Sequence, residues 1–151
     1  MLADVDGDGK ADLVVFRPTT GTWYWVTASN GYSYAAMGSK VWGVAGDVPM
    51  VADMDGDKKS EFVIWRPGTG VWYWTSAVSY SALGSTGIQW GAQSQGDIPL
   101  LTDLDGDGRS DLMVFRPSSG TWYWIKSSTA YTYGGGGSKQ WGTSGDVPVV
   151  K

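Results

Sequence analysis

"DVDGDGKADLVVFRPTTGTWYW", Asp4–Trp25, is the stretch on which the reading of this chain turns. It returns as "DMDGDKKSEFVIWRPGTGVWYW" at Asp53–Trp74 and as "DLDGDGRSDLMVFRPSSGTWYW" at Asp103–Trp124. The leading aspartates are 49 and 50 residues apart. Each copy is followed by a Tyr/Ser-rich stretch, then by "VWG", "IQWG" or "KQWG", and closes on "GDVPMV", "GDIPLL" or "GDVPVV". Self-similarity at such a period marks a repeat architecture, in which one supersecondary unit stacks on its neighbours.

Within a unit the pattern is that of strands. "VPMVAD" is apolar and leads into the acidic loop. "DLVVFRP" is β-branched and stops at proline, which has no N–H to continue a ladder. "PTTG" is a turn ending on glycine. "TWYWVTA" is a second strong strand with Trp23 and Trp25 on one face and Tyr24 on the other. Asn30–Gly31 reads as a tight hairpin turn, and the "YSYAAMG" to "KVWG" region supplies a fourth strand. About four strands per unit of this length is the signature of a propeller blade. The expected fold is therefore all-β, a β-propeller of three four-stranded blades in one repeat domain, with blades at approximately 1–49, 50–99 and 100–151. A β-sandwich is the other architecture of this composition, but it gives no reason for near-identical units.

The 151 residues include no cysteine and no histidine. Disulfides, thiolate sites and the Ser-His-Asp and Cys-His mechanisms are thereby excluded within the chain. Net charge is −4 with no basic run, which argues against a nucleic-acid partner. No apolar stretch approaches the roughly 20 residues of a membrane span. The expectation from this sequence is that no signal peptide precedes the first repeat.

Of 15 acidic residues, all but Asp47, Asp97 and Asp146 lie in the three loops. These are Asp4, Asp6, Asp8 and Asp12; Asp53, Asp55, Asp57 and Glu61; and Asp103, Asp105, Asp107 and Asp111. Carboxylates at positions 1, 3, 5 and 9 of one turn repel one another unless a cation neutralises them. Ca²⁺ takes 6–8 oxygens, and the position-7 carbonyls of Lys10, Lys59 and Arg109 can add to the set while their side chains point into water. An EF-hand would need Glu at position 12, where this chain has Val15, Ile64 and Val114 inside a strand. The loop thus joins two strands, and up to three Ca²⁺ per chain are expected. The middle site should be weakest, because Lys58 stands where the other loops have Gly9 and Gly108.

The loop, "FRPxxGxWYW" and "GDVPVV" together resemble the FG-GAP/VCBS repeat family, over the whole chain. Members are β-propeller blades with a DxDGDGxxD calcium loop between their first two strands, as in integrin α-subunit propellers and many bacterial surface proteins. The resemblance implies a chiefly structural calcium and a secreted or cell-surface location, with functions in adhesion, carbohydrate binding or scaffolding. The literal Phe-Gly and Gly-Ala-Pro motifs are absent, so no integrin-like ligand surface is implied.

The remaining repeated residues admit structural and binding roles. Trp23, Trp25, Trp72, Trp74, Trp122 and Trp124 are expected to pack between blades. Trp42, Trp90 and Trp141 divide between packing and a ligand groove. Tyr32, Tyr34, Tyr80, Tyr131 and Tyr133 are the expected exposed face, with a glycan as the alternative partner. Arg17, Arg66 and Arg116 are each expected to pair with a repeated aspartate, that of the "GDVP" turn. Propellers have 4–8 blades, so three leave two apolar faces open. "VPVVK" at the end matches the strand in which "MLAD" begins, and a strand begun in one chain would hand over to the next. The expectation is a non-enzymatic module that associates with itself, two chains giving six blades in preference to three giving nine. The alternatives are a lectin with one aromatic site per blade, and a designed or excised repeat fragment with no ligand of its own.

Overall fold

A computed structural model describes residues 1–77 and 87–149. It contains three four-stranded antiparallel sheets, each a simple meander. The first is β1 (Leu2–Ala3), β2 (Asp12–Arg17), β3 (Thr22–Val26) and β4 (Gly38–Val41). The middle sheet is β5 (Val48–Ala52), β6 (Glu61–Arg66), β7 (Val71–Thr75) and β8 (Ile88–Gln89). The third is β9 (Ile98–Thr102), β10 (Asp111–Arg116), β11 (Thr121–Ile125) and β12 (Gly137–Gln140). Every unit read from the sequence is one sheet, and the acidic loop joins its first two strands.

Register explains the pattern. Val14 lies opposite Trp25 and Phe16 opposite Trp23, so one face of the second and third strands is apolar and aromatic throughout. The same pairing recurs as Val63 with Trp74 and Met113 with Trp124. The short turn between these strands closes on Gly21, Gly70 or Gly120, all at positive φ. A Cβ there would strike the carbonyl oxygen of Gly43, Gly91 or Gly142, so only glycine lets the two segments meet.

The sheets stack face to face in chain order, and their first strands touch, β1 on β5 and β5 on β9. Two apolar layers lie between them. Val14 and Trp23 of the first sheet meet Phe62 and Ile64 of the middle sheet. Trp23 stacks on Phe62 with ring centroids 4.5 Å apart and planes 8° from parallel. On the other side, Val63, Trp65, Trp72 and Trp74 meet Leu112, Val114 and Ile125. The second strand of the middle sheet is thus buried on both faces, whereas β2 alternates between buried and exposed.

The link between third and fourth strands differs from the expectation. Asn30–Gly31 is not a two-residue hairpin turn, and "YSY" is not strand. Ala28–Asn30 and Tyr34–Ala36 are short 3₁₀ turns, with the backbone left-handed at Gly31 and Tyr32 between them. Ser127–Thr129 and Tyr133–Gly135 repeat this, left-handed at Ala130 and Tyr131. The reason is visible in the contacts: this connection folds back over the acidic loop, and Tyr32 and Tyr131 donate to the carbonyls of Ala11 and Ser110 at 3.0 and 2.9 Å. The equivalent stretch of the middle unit, with Tyr80, lies outside the described residues.

Candidate metal centres

Each acidic loop is wound by its own carboxylates. Asp4 accepts the N–H groups of Gly7 and Gly9 at 2.6 and 2.8 Å. Asp6 accepts that of Asp8 at 3.2 Å, and Asp8 that of Lys10 at 2.8 Å. The middle loop repeats this with Asp53 on Gly56 and Lys58, Asp55 on Asp57, and Asp57 on Lys59. In the third, Asp103 accepts Gly106, Asp107 and Gly108, and Asp107 accepts Arg109. Such turns pull alternate side chains to the inside of the bend.

The carboxylates so gathered are Asp4, Asp6 and Asp8; Asp53, Asp55 and Asp57; and Asp103, Asp105 and Asp111, with one oxygen from each lying within 4.8 Å of the others in its group. The donors are hard oxygens throughout. That set fits calcium and gives a transition metal no nitrogen or sulfur to prefer.

Position 9 has a second task that the spacing did not reveal. Asp12 is fully buried, and its two oxygens accept the N–H groups of Val5 and Ala28, both at 2.8 Å. Asp111 does the same with Leu104 and Ser127 at 3.0 and 2.8 Å. Glu61 accepts Met54 at 2.9 Å. Asp12 and Asp111 thereby tie the loop to the connection after the third strand; Asp111 lies in its gathered group, whereas Asp12 and Glu61 lie outside theirs. Burial first, and then the charges of Asp55, Asp57 and Asp53, push the Glu61 carboxyl up to about 7. Ionised Glu61 therefore costs the folded state stability as pH rises from its ordinary range towards 7.

Two further groups went unread in the sequence. Ser29 donates to Asp6 at 2.5 Å and Ser128 to Asp105 at 2.6 Å, both across 23 residues. That fixed offset was the available signal. The Ser29 hydrogen bond is the chief reason Asp6 lies below the ordinary carboxylate value. The position-7 side chains also differ from expectation. Lys59 lies against Gly7 of the preceding loop and Arg109 against Gly56, while Arg109 also pairs with its own Asp107 at 2.9 Å. The loops are chained as well: Ser60 N–H donates to the Asp4 carbonyl at 2.6 Å and Ser110 N–H to that of Asp53 at 2.8 Å.

The aromatic residues are mostly structural. Trp23 and Trp72 are wholly buried, and their indole N–H groups donate to the carbonyls of Trp42 and Trp90, each at 2.8 Å. Trp42 and Trp90 themselves pack on the inter-sheet layers. Tyr131 lies edge-on to Trp74, and Tyr133 donates to the Gln89 carbonyl. Tyr34 and Trp141 stand exposed. Arg66 and Arg116 pair with the "GDVP" and "GDIP" aspartates, Asp47 and Asp97, as the repetition predicted.

A row of meander sheets, each with an aspartate-rich loop between its first two strands, defines a tandem β-repeat protein. Residues 4–64, from the first loop through most of β6, match the FG-GAP-like repeat. That stretch matches the repeat family the sequence resembled, and the later copies pair their strands in the same register. No curated protein and no solved structure matches the chain. Among the described residues, no helix is long and apolar enough to cross a membrane.

Proposed function

We propose that the chain is a non-enzymatic, calcium-binding module of the β-propeller type, which closes a ring by self-association and serves as a binding or scaffold domain outside the cell. The observation that carries this is the convergence of three carboxylates in each of three loops, every one placed between the first two strands of a sheet. Calcium there neutralises a cluster that otherwise repels itself, and it fixes the corner from which β2, β6 and β10 start. Sites of 10⁻⁴–10⁻³ M affinity would contribute about 1 kcal/mol each near millimolar calcium. That suits a structural staple in a calcium-rich exterior.

The carboxylates support a structural reading over glycoside hydrolysis. Asp12 and Asp111 are held by backbone N–H groups, and Asp47 and Asp97 by arginines. Little favours the lectin reading, since Trp42 and Trp90 are taken up in packing.

Native mass spectrometry with and without a chelator tests the proposal. Up to three calcium ions per chain are expected, the last to bind being that of the middle loop. The melting temperature should fall in chelator by roughly 2–4 °C per kcal/mol removed. A chain that takes up no calcium, or melts identically without it, overturns the metal part of this reading.

A further inference from the structure

The middle sheet shows what holds one sheet to the one before it. Arg66, at the end of β6, reaches back to Asp47 in the turn after the first sheet, with Nε to Oδ1 at 2.9 Å and Nη2 to Oδ2 at 3.0 Å. Arg116 grips Asp97 in the same way, at 2.7 and 2.9 Å. Beside this fork, Phe62 and Ile64 press into a seat that includes Phe16, Trp23 and Trp42. Along the edge, Val48 pairs with Trp65 and Ile98 with Phe115.

The first sheet carries the inserting half of this set with nothing to enter. Leu13 and Val15 are 47% and 59% exposed, whereas their counterparts Phe62 and Ile64 are 0% and 2% exposed. Arg17 is exposed and, among the described residues, bonds only the Tyr24 hydroxyl at 2.9 Å, lying over that ring. The first strand pairs with Asp12 and Leu13 and, through Met1, with Val14, and among the described residues none lies opposite Phe16.

The third sheet carries the receiving half. Phe115, Trp122, Trp141, Asp146 and Val147 line an open groove of about 730 Å³. Trp141 is 77% exposed, although Trp42 and Trp90 in its place are packed. Asp146 accepts the N–H of Thr143, as Asp47 and Asp97 accept those of Val44 and Ala92, but among the described residues it holds no guanidinium.

We propose that this groove receives the first sheet of a second copy of the chain, with Arg17 of each copy forked onto Asp146 of the other. Leu13 and Val15 enter beside Trp122 and Trp141, and Val147 supplies the missing neighbour of Phe16. The proposal rests on the propeller-type reading and names the contact that closes the ring. It commits to a second copy because each unfilled half matches, residue for residue, a half that is filled inside the chain. Two such contacts, head to tail in both directions, join six sheets in one closed pair.

A charge swap tests it. The unaltered protein should run by light scattering at twice its 16.2 kDa chain mass. Arg17→Glu and Asp146→Arg should each weaken self-association at least tenfold. Mixed, they should form a one-to-one heterodimer, because one contact then carries the reversed pair and the other the original pair. Arg17→Met, which adds no new charge, should also weaken the pair while keeping the circular dichroism of the folded chain. A monomeric unaltered protein, single variants that dimerise as tightly as the parent, or a mixture that stays monomeric each overturns the contact. Calcium counts on the same samples bear on the metal reading alone: loss of calcium with the heterodimer intact leaves the contact standing.

Discussion

The middle sheet and the two end sheets are built from nearly the same sequence, yet their surroundings differ. In β6 every residue from Glu61 to Trp65 is buried, and in β2 burial alternates. Arg66 is forked onto a buried aspartate, while Arg17 lies in solvent on a tyrosine ring. The difference comes from position in the row. In a stacked repeat, stability is a sum over units and interfaces. Each sheet here is apolar on both faces, but β6 and β10 are buried along their length whereas β2 is not. The end sheets show what an interface offers before it is filled.

The largest effect that tests this contrast is in the core. Phe62→Ala removes a wholly buried ring from its stack on Trp23, and should cost about 3–5 kcal/mol in urea denaturation. Leu13→Ala, at the equivalent place in the first sheet, should cost under about 1 kcal/mol when the protein is dilute enough to be monomeric. Equal losses at that dilution would show that Leu13 is as well covered as Phe62 in the single chain. A Leu13 penalty that grows with protein concentration would mark a face buried only in an assembly.

The fork comes next. Arg66→Met leaves Asp47 buried with, among the described residues, only the Val44 N–H to satisfy it, and about 2 kcal/mol should be lost. Arg17→Met removes no buried partner and should leave monomer stability within about 0.5 kcal/mol. Chemical denaturation of the two variants side by side measures the difference. A loss at Arg17 as large as at Arg66 would mean that the fork adds nothing to the stacking of sheets.

Much of this was legible beforehand, and what was not has a physical reason. The period, the four strands, the turn after Pro18 and the packing role of Trp23 and Trp72 follow from local chemistry repeated in register. The Arg–Asp fork was legible for the same reason, since both partners recur. The connection after the third strand was misread because Asn30–Gly31 is a strong local turn signal that tertiary contacts override. Tyr32 and Ser29 draw that segment onto the acidic loop. The backbone hydrogen bonds of Asp12 were hidden because a carboxylate at position 9 reads the same whether it meets an ion or backbone N–H groups. Which copy of a repeated residue is exposed depends on its neighbours in the stack, and no single unit records that.

The smallest effect separates the loops. Lys58 sits at φ 67°, where Gly9 and Gly108 sit at 80° and 85°. A side chain in the left-handed region costs about 1–2 kcal/mol, and a glycine gives part of that back through the freedom of the unfolded chain. Lys58→Gly should therefore stabilise the protein by about 0.5–1 kcal/mol in calcium. In chelator the gain should shrink, because the lysine's charge also relieves repulsion among Asp53, Asp55 and Asp57, whose carboxylates lie together. Calcium uptake at the middle loop should tighten towards that of the other two, since the ion then takes over the neutralising role. Urea denaturation in calcium and in chelator, with a calcium titration of each protein, makes the check. A variant that is stabilised equally in both conditions would reduce the difference between the loops to backbone strain, with no part played by charge.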